Sequence, residues 1–138
     1  MKPKIIITYG LPASGKSTWS KKMVEDNPDS YVRVNKDDLR AMMFNGEFTE
    51  KRERFIEEVQ EQIIFQVIDM HKNVIVDNTH IAKKWIKYMK GLADEINAGF
   101  AIKRFDTPVE VCIERDSKRK GQQHVGKDVI MKMYNEMK

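Results

Sequence analysis

The apolar positions of this chain fall into two alternating kinds. Short, nearly continuous runs rich in β-branched residues recur at KIIITY (4–9), YVRV (31–34), NVIV (73–76) and FAIKRF (100–105). An apolar run without polar alternation is what a strand covered on both faces requires. Between the runs, the apolar residues change to helical spacing. Trp19 and Met23 lie four apart in a segment predicted helical over 17–25. DDLRAMMF (37–44) starts a short helix, and a long one follows over about 49–71. There Phe55, Ile56, Val59, Ile63, Val67 and Met70 form a stripe, with EKRERF and EEVQEQ supplying the polar face, and the stripe reads as core. Residues 81–97 put Trp85, Tyr88, Met89 and Leu92 on one side of another helix. Pro108 opens a helix reaching about Lys118, KGQQHVG interrupts the pattern, and 127–137 reads as a last helix. No repeat, linker or low-complexity tract divides the chain. The alternation predicts an α/β domain over 1–138: a parallel sheet of about four strands flanked by helices. Ligands of such sheets bind at the carboxyl ends of the strands, so the candidate chemistry lies there.

The first strand runs into GLPASGKST (10–18), which matches G-x-x-x-x-G-K-[ST]. A Gly-rich turn that binds nothing is the plain alternative. The strand before it and the helix after it select the phosphate-binding reading. Gly10, Pro12, Ala13, Ser14, Gly15, Lys16, Ser17 and Thr18 would wrap backbone N–H groups around the phosphates of ATP or another NTP, at a helix N-terminus. Lys16 would reach the β- and γ-phosphates, and the Ser17 hydroxyl would sit on Mg²⁺.

The second strand ends in NKDDLR (35–40). Asn35 or Asp37 can cap the helix that follows, but two adjacent carboxylates exceed what a cap needs. Asp37 can take the proton of an acceptor hydroxyl. Arg40 can hold a carboxylate in place or grip a phosphate. The third strand ends in VIVDNTH. Asp77 stands where a Walker-B-type acid would, either holding Mg²⁺ through water or orienting a neighbour. Asn78 and Thr79 are expected to cap the next helix, and His80 to be an ordinary surface or turn histidine. The helix after strand four carries ERDSKRKGQQHVG. Arg115 and Arg119 share one helix face, Lys118 and Lys120 flank Arg119, and Gly121 and Gly126 bound a flexible segment. An arginine-bearing helix leading into such a segment reads as a lid, which brings positive charge to a transferring phosphoryl group and excludes water.

Composition sharpens the partner. Charged residues make up 33% and hydrophobic ones 41% of 138 residues, with a formal net charge of +4. Residues 1–69 carry 11 Lys and Arg against 12 Asp and Glu, whereas residues 70–138 carry 14 against 9. The basic second half favours an anionic partner. No apolar stretch approaches a bilayer span and no leader pattern is present, so no membrane partner is expected. The single Cys112 excludes an intrachain disulfide, suits a cytoplasmic setting, and reads as a small core hydrophobe.

Taken in order and spacing, GLPASGKSTW, NKDDLR, VDNT and RDSKR resemble the kinase domain of bacteriophage 5′-OH polynucleotide kinase, over nearly the whole chain. The resemblance implies a P-loop kinase that moves the ATP γ-phosphate to the 5′-hydroxyl of DNA or RNA, with Mg²⁺. It implies that Lys16 and Ser17 bind phosphates and metal, that Asp37 is the general base, and that Arg40 contacts the acceptor-side phosphate. Asp77 would be the active-site acid of strand three. Arg115 and Arg119 would be lid residues, with Arg119 on the phosphate. The phage enzyme carries a phosphatase domain after the kinase. This chain ends at Lys138, so 3′-phosphate removal is not implied.

Three functions compete on the sequence. One is a polynucleotide 5′-kinase. Another is a P-loop kinase for a small acceptor such as a nucleoside, a sugar acid or an antibiotic. The third is a nucleotide-binding switch without phosphotransfer, which would need neither the Asp37–Arg40 pair nor the lid arginines.

Overall fold

A computed structural model describes residues 2–137. The elements are β1 (Lys4–Tyr9), α1 (Lys16–Asp26), β2 (Tyr31–Val34), α2 (Lys36–Phe44), α3 (Glu50–Asp69), β3 (Asn73–Val76), α4 (Lys83–Glu95), β4 (Gly99–Arg104), α5 (Val109–Ser117) and α6 (Lys127–Glu136), with a 3-10 turn over 121–123 between the last two. The four strands form one parallel sheet in the order β2-β3-β1-β4. Ile5, Ile6 and Ile7 sit opposite Val74, Ile75 and Val76 on one side and Phe100, Ala101 and Ile102 on the other.

The strand order decides where the helices lie. The crossover from β1 to β2 travels one way along the sheet; those from β2 to β3 and from β3 to β4 travel the other. Right-handed crossovers therefore place α1 on one face and α3 and α4 on the other. Side-chain alternation agrees. Ile5, Ile7, Val74 and Val76 pack with Ile56, Ile64, Met89 and Leu92 of α3 and α4. Ile6 and Ile75 are buried on the opposite face. A second, smaller cluster of Leu11, Ile81, Val109, Cys112 and Ile130 packs α5 and α6 behind the loop that follows β1. Cys112 is a buried core residue, as its sequence setting predicts.

Local chemistry sets the helix starts. Asn35, not Asp37, caps α2: its side chain accepts from the Asp38 N–H at 2.8 Å. Thr49 caps α3 in the same way through Arg52 N–H. The α3 stripe is rotated from the predicted one. Phe55 and Met70 are 46% and 55% exposed, whereas Ile64, Ile68 and the polar Gln60 are buried. Gln60 turns inward because its side-chain carbonyl accepts from the Asn78 amide at 2.9 Å. Asn78 and Thr79 do not cap α4, whose N-cap is Ala82 without a side-chain bond. No helix among the described residues is long and apolar enough to cross a membrane.

Candidate active site

Because α1 leaves β1 toward one face and α4 leaves β3 toward the other, a crevice opens between the carboxyl ends of these neighbouring strands. The loop at residues 10–17 fills one wall. Its backbone requires glycine twice. A Cβ on Gly10 would lie 2.8 Å from Ser14 Oγ and 3.0 Å from Phe105 Cβ, and Gly15 adopts φ +103°, a region that L side chains rarely enter. Three contacts from later in the chain hold the backbone of residues 10–14. Gly10 N–H donates to the Thr79 carbonyl at 3.2 Å, the Thr107 hydroxyl to the Ser14 carbonyl at 2.7 Å, and Arg115 to the Ala13 carbonyl at 3.3 Å. Pro12, Ala13 and Ser14 are buried, while Ser17 and Thr18 are exposed on the first turn of α1.

Lys16 is buried, and its ammonium donates to the Gly10 carbonyl at 3.1 Å and the Leu11 carbonyl at 2.5 Å. Burial pushes its pKa down to about 8, against the pull of the Asp77 charge. An ammonium so poorly solvated gains strongly from a phosphate laid along the loop.

The ends of β2 and β3 meet through a residue that the motifs do not include. Arg33 Nε donates to Asp77 Oδ2 at 2.8 Å and Nη1 to Asp38 Oδ2 at 2.7 Å, while Nη2 lies 3.5 Å from Ser17 Oγ. The signal was present in the sequence as a charged residue in the middle of the short strand YVRV. The Asn35 amide also donates to the Asp77 carbonyl. Asp77 is 1% exposed, and its Oδ1 is buried with no hydrogen-bond partner. The Asp77 carboxylate and the exposed Ser17 hydroxyl, both reached by Arg33, are hard oxygen donors of the kind that suit Mg²⁺, which prefers oxygen ligands and keeps several waters. Ser17 would hold such an ion directly and Asp77 through water; the ion would supply positive charge to the phosphate oxygens. No group of three or more His, Cys, Asp or Glu among the described residues could hold a metal by itself.

Asp37 and Arg40 stand together on α2. The Arg40 guanidinium donates to Asp37 at 2.7 Å, and its other nitrogens donate to Glu53 of α3 at 2.8–3.1 Å. The Asp37 side chain is 85% exposed, whereas Arg40 and Glu53 are largely covered. Arg40 is thus clamped between two carboxylates, and Glu53 is a partner that no motif in the sequence marks. Lys36 sits beside the same cluster, 3.5 Å from Glu53 and 3.7 Å from Glu57.

The basic helix lies behind the loop. Arg115 touches the P-loop backbone, whereas Arg119 lies past the end of α5, so the two do not share a helix face as the spacing predicted, and Arg119 contacts the Gln123 carbonyl at 3.5 Å. Asp116, between them, is buried and accepts from the Val125 and Gly126 N–H groups, both at 2.9 Å. That carboxylate ties α5 to the start of α6.

His80 is not a surface residue. It is 4% exposed and adopts φ 51°. Nδ1 lies 2.8 Å from the Thr8 carbonyl, which can only accept, so Nδ1 carries the hydrogen. Burial drives its pKa down to about 4, with the Thr8 bond opposing. Together with the Thr8 hydroxyl, which donates to the Asn78 carbonyl at 2.7 Å, it ties the loop after β3 to β1.

A parallel sheet whose first strand ends in a phosphate-binding loop, with an acid on the adjacent strand and an arginine helix behind the loop, is the P-loop kinase fold, which implies nucleotide binding. The chain matches the AAA domain family over residues 5–138 and belongs to it. Its relatives include a protein of Autographa californica nuclear polyhedrosis virus, provisionally named a bifunctional polynucleotide kinase/RNA ligase, 26% identical over 145 residues, 95% of this chain and 20% of that protein. The L-seryl-tRNA(Sec) kinase of Methanococcus maripaludis is 28% identical over 94% of this chain and 51% of its own length. Among solved structures, a chain of the Pnkp1/Rnl/Hen1 RNA repair complex superposes with a TM-score of 0.85 at 32% identity, covering 99% of this chain and 44% of that one. The chain therefore spans about half or less of the length of these relatives. An APS kinase of Mycobacterium tuberculosis, at 20% identity and a TM-score of 0.67, shares the fold.

Proposed function

We propose that this domain is an ATP-dependent polynucleotide 5′-hydroxyl kinase, which transfers the γ-phosphate of ATP to the 5′-OH end of DNA or RNA. The observation that carries the reading is the exposed Asp37 carboxylate, held at 2.7 Å by Arg40 on α2 at the functional edge of the sheet. Asp37 takes the proton of the attacking 5′-hydroxyl. The phosphoryl group moves from the β-phosphate oxygen to that hydroxyl oxygen, and ADP leaves. Lys16 and the lid arginines Arg115 and Arg119 neutralise charge on the phosphoryl group in transit. Arg40 contacts the phosphate that follows the acceptor nucleoside; to do so it gives up part of its hold on Glu53. The likeness to RNA repair and polynucleotide kinase proteins supports this acceptor class over a small molecule.

The test is incubation with γ-labelled ATP and Mg²⁺ against 5′-OH DNA and RNA oligonucleotides, nucleosides and sugar acids in parallel. Label on the oligonucleotide 5′ ends is expected. Efficient labelling of nucleosides or sugars with none on oligonucleotides would replace this reading with a small-acceptor kinase.

A further inference from the structure

Arg33 reaches one side chain from each of three elements: Asp77 beyond β3, Asp38 on α2 and Ser17 on α1. It grows from a short strand, and its side chain is largely covered. These residues are also the ones to which a divalent ion would come. Arg33 lies against Ser17 and takes one oxygen of Asp77, leaving the other, Oδ1, buried and unpartnered.

Charge governs how a divalent ion can enter. Asp77 and Asp38 are balanced by the guanidinium between them and by the buried Lys16 ammonium near Asp77. A divalent ion entering alone meets two fixed cations and only one Asp77 oxygen not already bonded to Arg33, itself buried. An ion arriving on a nucleotide brings the negative charge of the phosphates with it, and Lys16 turns to those phosphates.

We propose that Arg33 is a resident cation that covers the metal acid Asp77, so that the divalent ion enters this site as its nucleotide complex and not by itself. The inference holds for any acceptor, and its test involves no acceptor.

The probe is Mn²⁺, with the free ion counted by its electron paramagnetic resonance signal, on the full chain without nucleotide and then with saturating ADP. Wild type should bind Mn²⁺ weakly without nucleotide and much more tightly with it. Arg33→Gln should tighten nucleotide-free Mn²⁺ binding by about tenfold or more, since a unit charge within a few ångströms of a divalent ion weighs heavily in a partly buried site. The gain from ADP should shrink correspondingly, because coupling between the two ligands is reciprocal. On an Asp77→Asn background, Arg33→Gln should give much less tightening than it gives in wild type, which distinguishes cover over Asp77 from a general change of charge. Unchanged or weaker Mn²⁺ binding in Arg33→Gln would overturn the proposal, and so would an equal tightening by Arg33→Gln on the Asp77→Asn background. If Arg33→Gln does not fold, Arg33→Lys, whose shorter point charge cannot span Asp77 and Asp38 together, should show a smaller tightening; no change there would equally overturn it.

Discussion

Lys16 shows how one side chain couples nucleotide binding to pH. Its ammonium is desolvated and has a pKa of about 8, below the ordinary 10.5. Between pH 8 and 10.5 the folded protein loses this proton while the unfolded chain keeps it, so the penalty of holding the buried charge is complete below pH 8 and is relieved as pH rises from 8 toward 10.5. The phosphate contact proposed for Lys16 needs the charged form. ATP affinity measured by calorimetry should be flat below pH 8 and fall by up to about tenfold per unit above it. Lys16→Ala should remove this pH dependence and abolish transfer, with the melting temperature unchanged or raised. On the acceptor side, Asp37→Asn should leave ATP binding intact and slow single-turnover transfer by about a hundred-fold or more, as loss of a general base does. Asp38→Asn should do much less, since Asp38 faces Arg33 rather than the acceptor side. The reverse ranking would move the base to Asp38.

At the scale of elements, two buried polar groups stitch loops to the frame. Asp116 holds the start of α6 to the arginine helix through two charge-assisted hydrogen bonds. Asp116→Ala strands those N–H groups and should cost about 3 kcal/mol locally. Hydrogen exchange should rise at 124–127 and in α6 while the P-loop stays protected; equal loosening of both would show that the α5–α6 segment is not a separate unit. His80 does the corresponding work for the loop after β3. Its pKa is about 4 in the folded protein against the ordinary 6.5, so the unfolded chain takes up the proton first on acidification. The stability it contributes is complete above pH 6.5 and lost as pH falls toward 4, by about 3 kcal/mol at most. Denaturant titrations should show this acid loss in wild type and a smaller one in His80→Gln.

For the whole molecule, the relevant quantity is the charge imbalance between the two halves of the chain. If the basic half and Arg40 grip a nucleic-acid backbone, acceptor KM should rise steeply with salt. Affinity should fall with a log–log slope of about −0.7 per neutralised phosphate on a single strand. ATP KM should respond less, because backbone amides of a loop hold its phosphates. A nucleoside should be a poor acceptor and its 3′-monophosphate a better one, with Arg40→Ala erasing the difference. Acceptor KM that is flat between low and physiological salt would remove nucleic acid from the proposal.

What the sequence by itself determined is what depends on neighbours along the chain. Four apolar runs, helical spacing between them and the G-x-x-x-x-G-K-S loop are local patterns, and strands, helices and the position of the site come from them. The start of α2 is legible for the same reason, as a cap at Asn35 or Asp37, since a cap acts across three residues. Tertiary structure alone decided the contacts between distant segments. Arg33 finds Asp77 across 44 positions and Asn78 finds Gln60 across 18, and no spacing rule reaches so far. The α3 stripe turned because a buried Gln60 satisfies an amide of another element, a demand invisible to periodicity. His80 looks like any turn histidine until β1 is laid beside it; only then does the Thr8 carbonyl give a reason to bury an imidazole and hold it neutral.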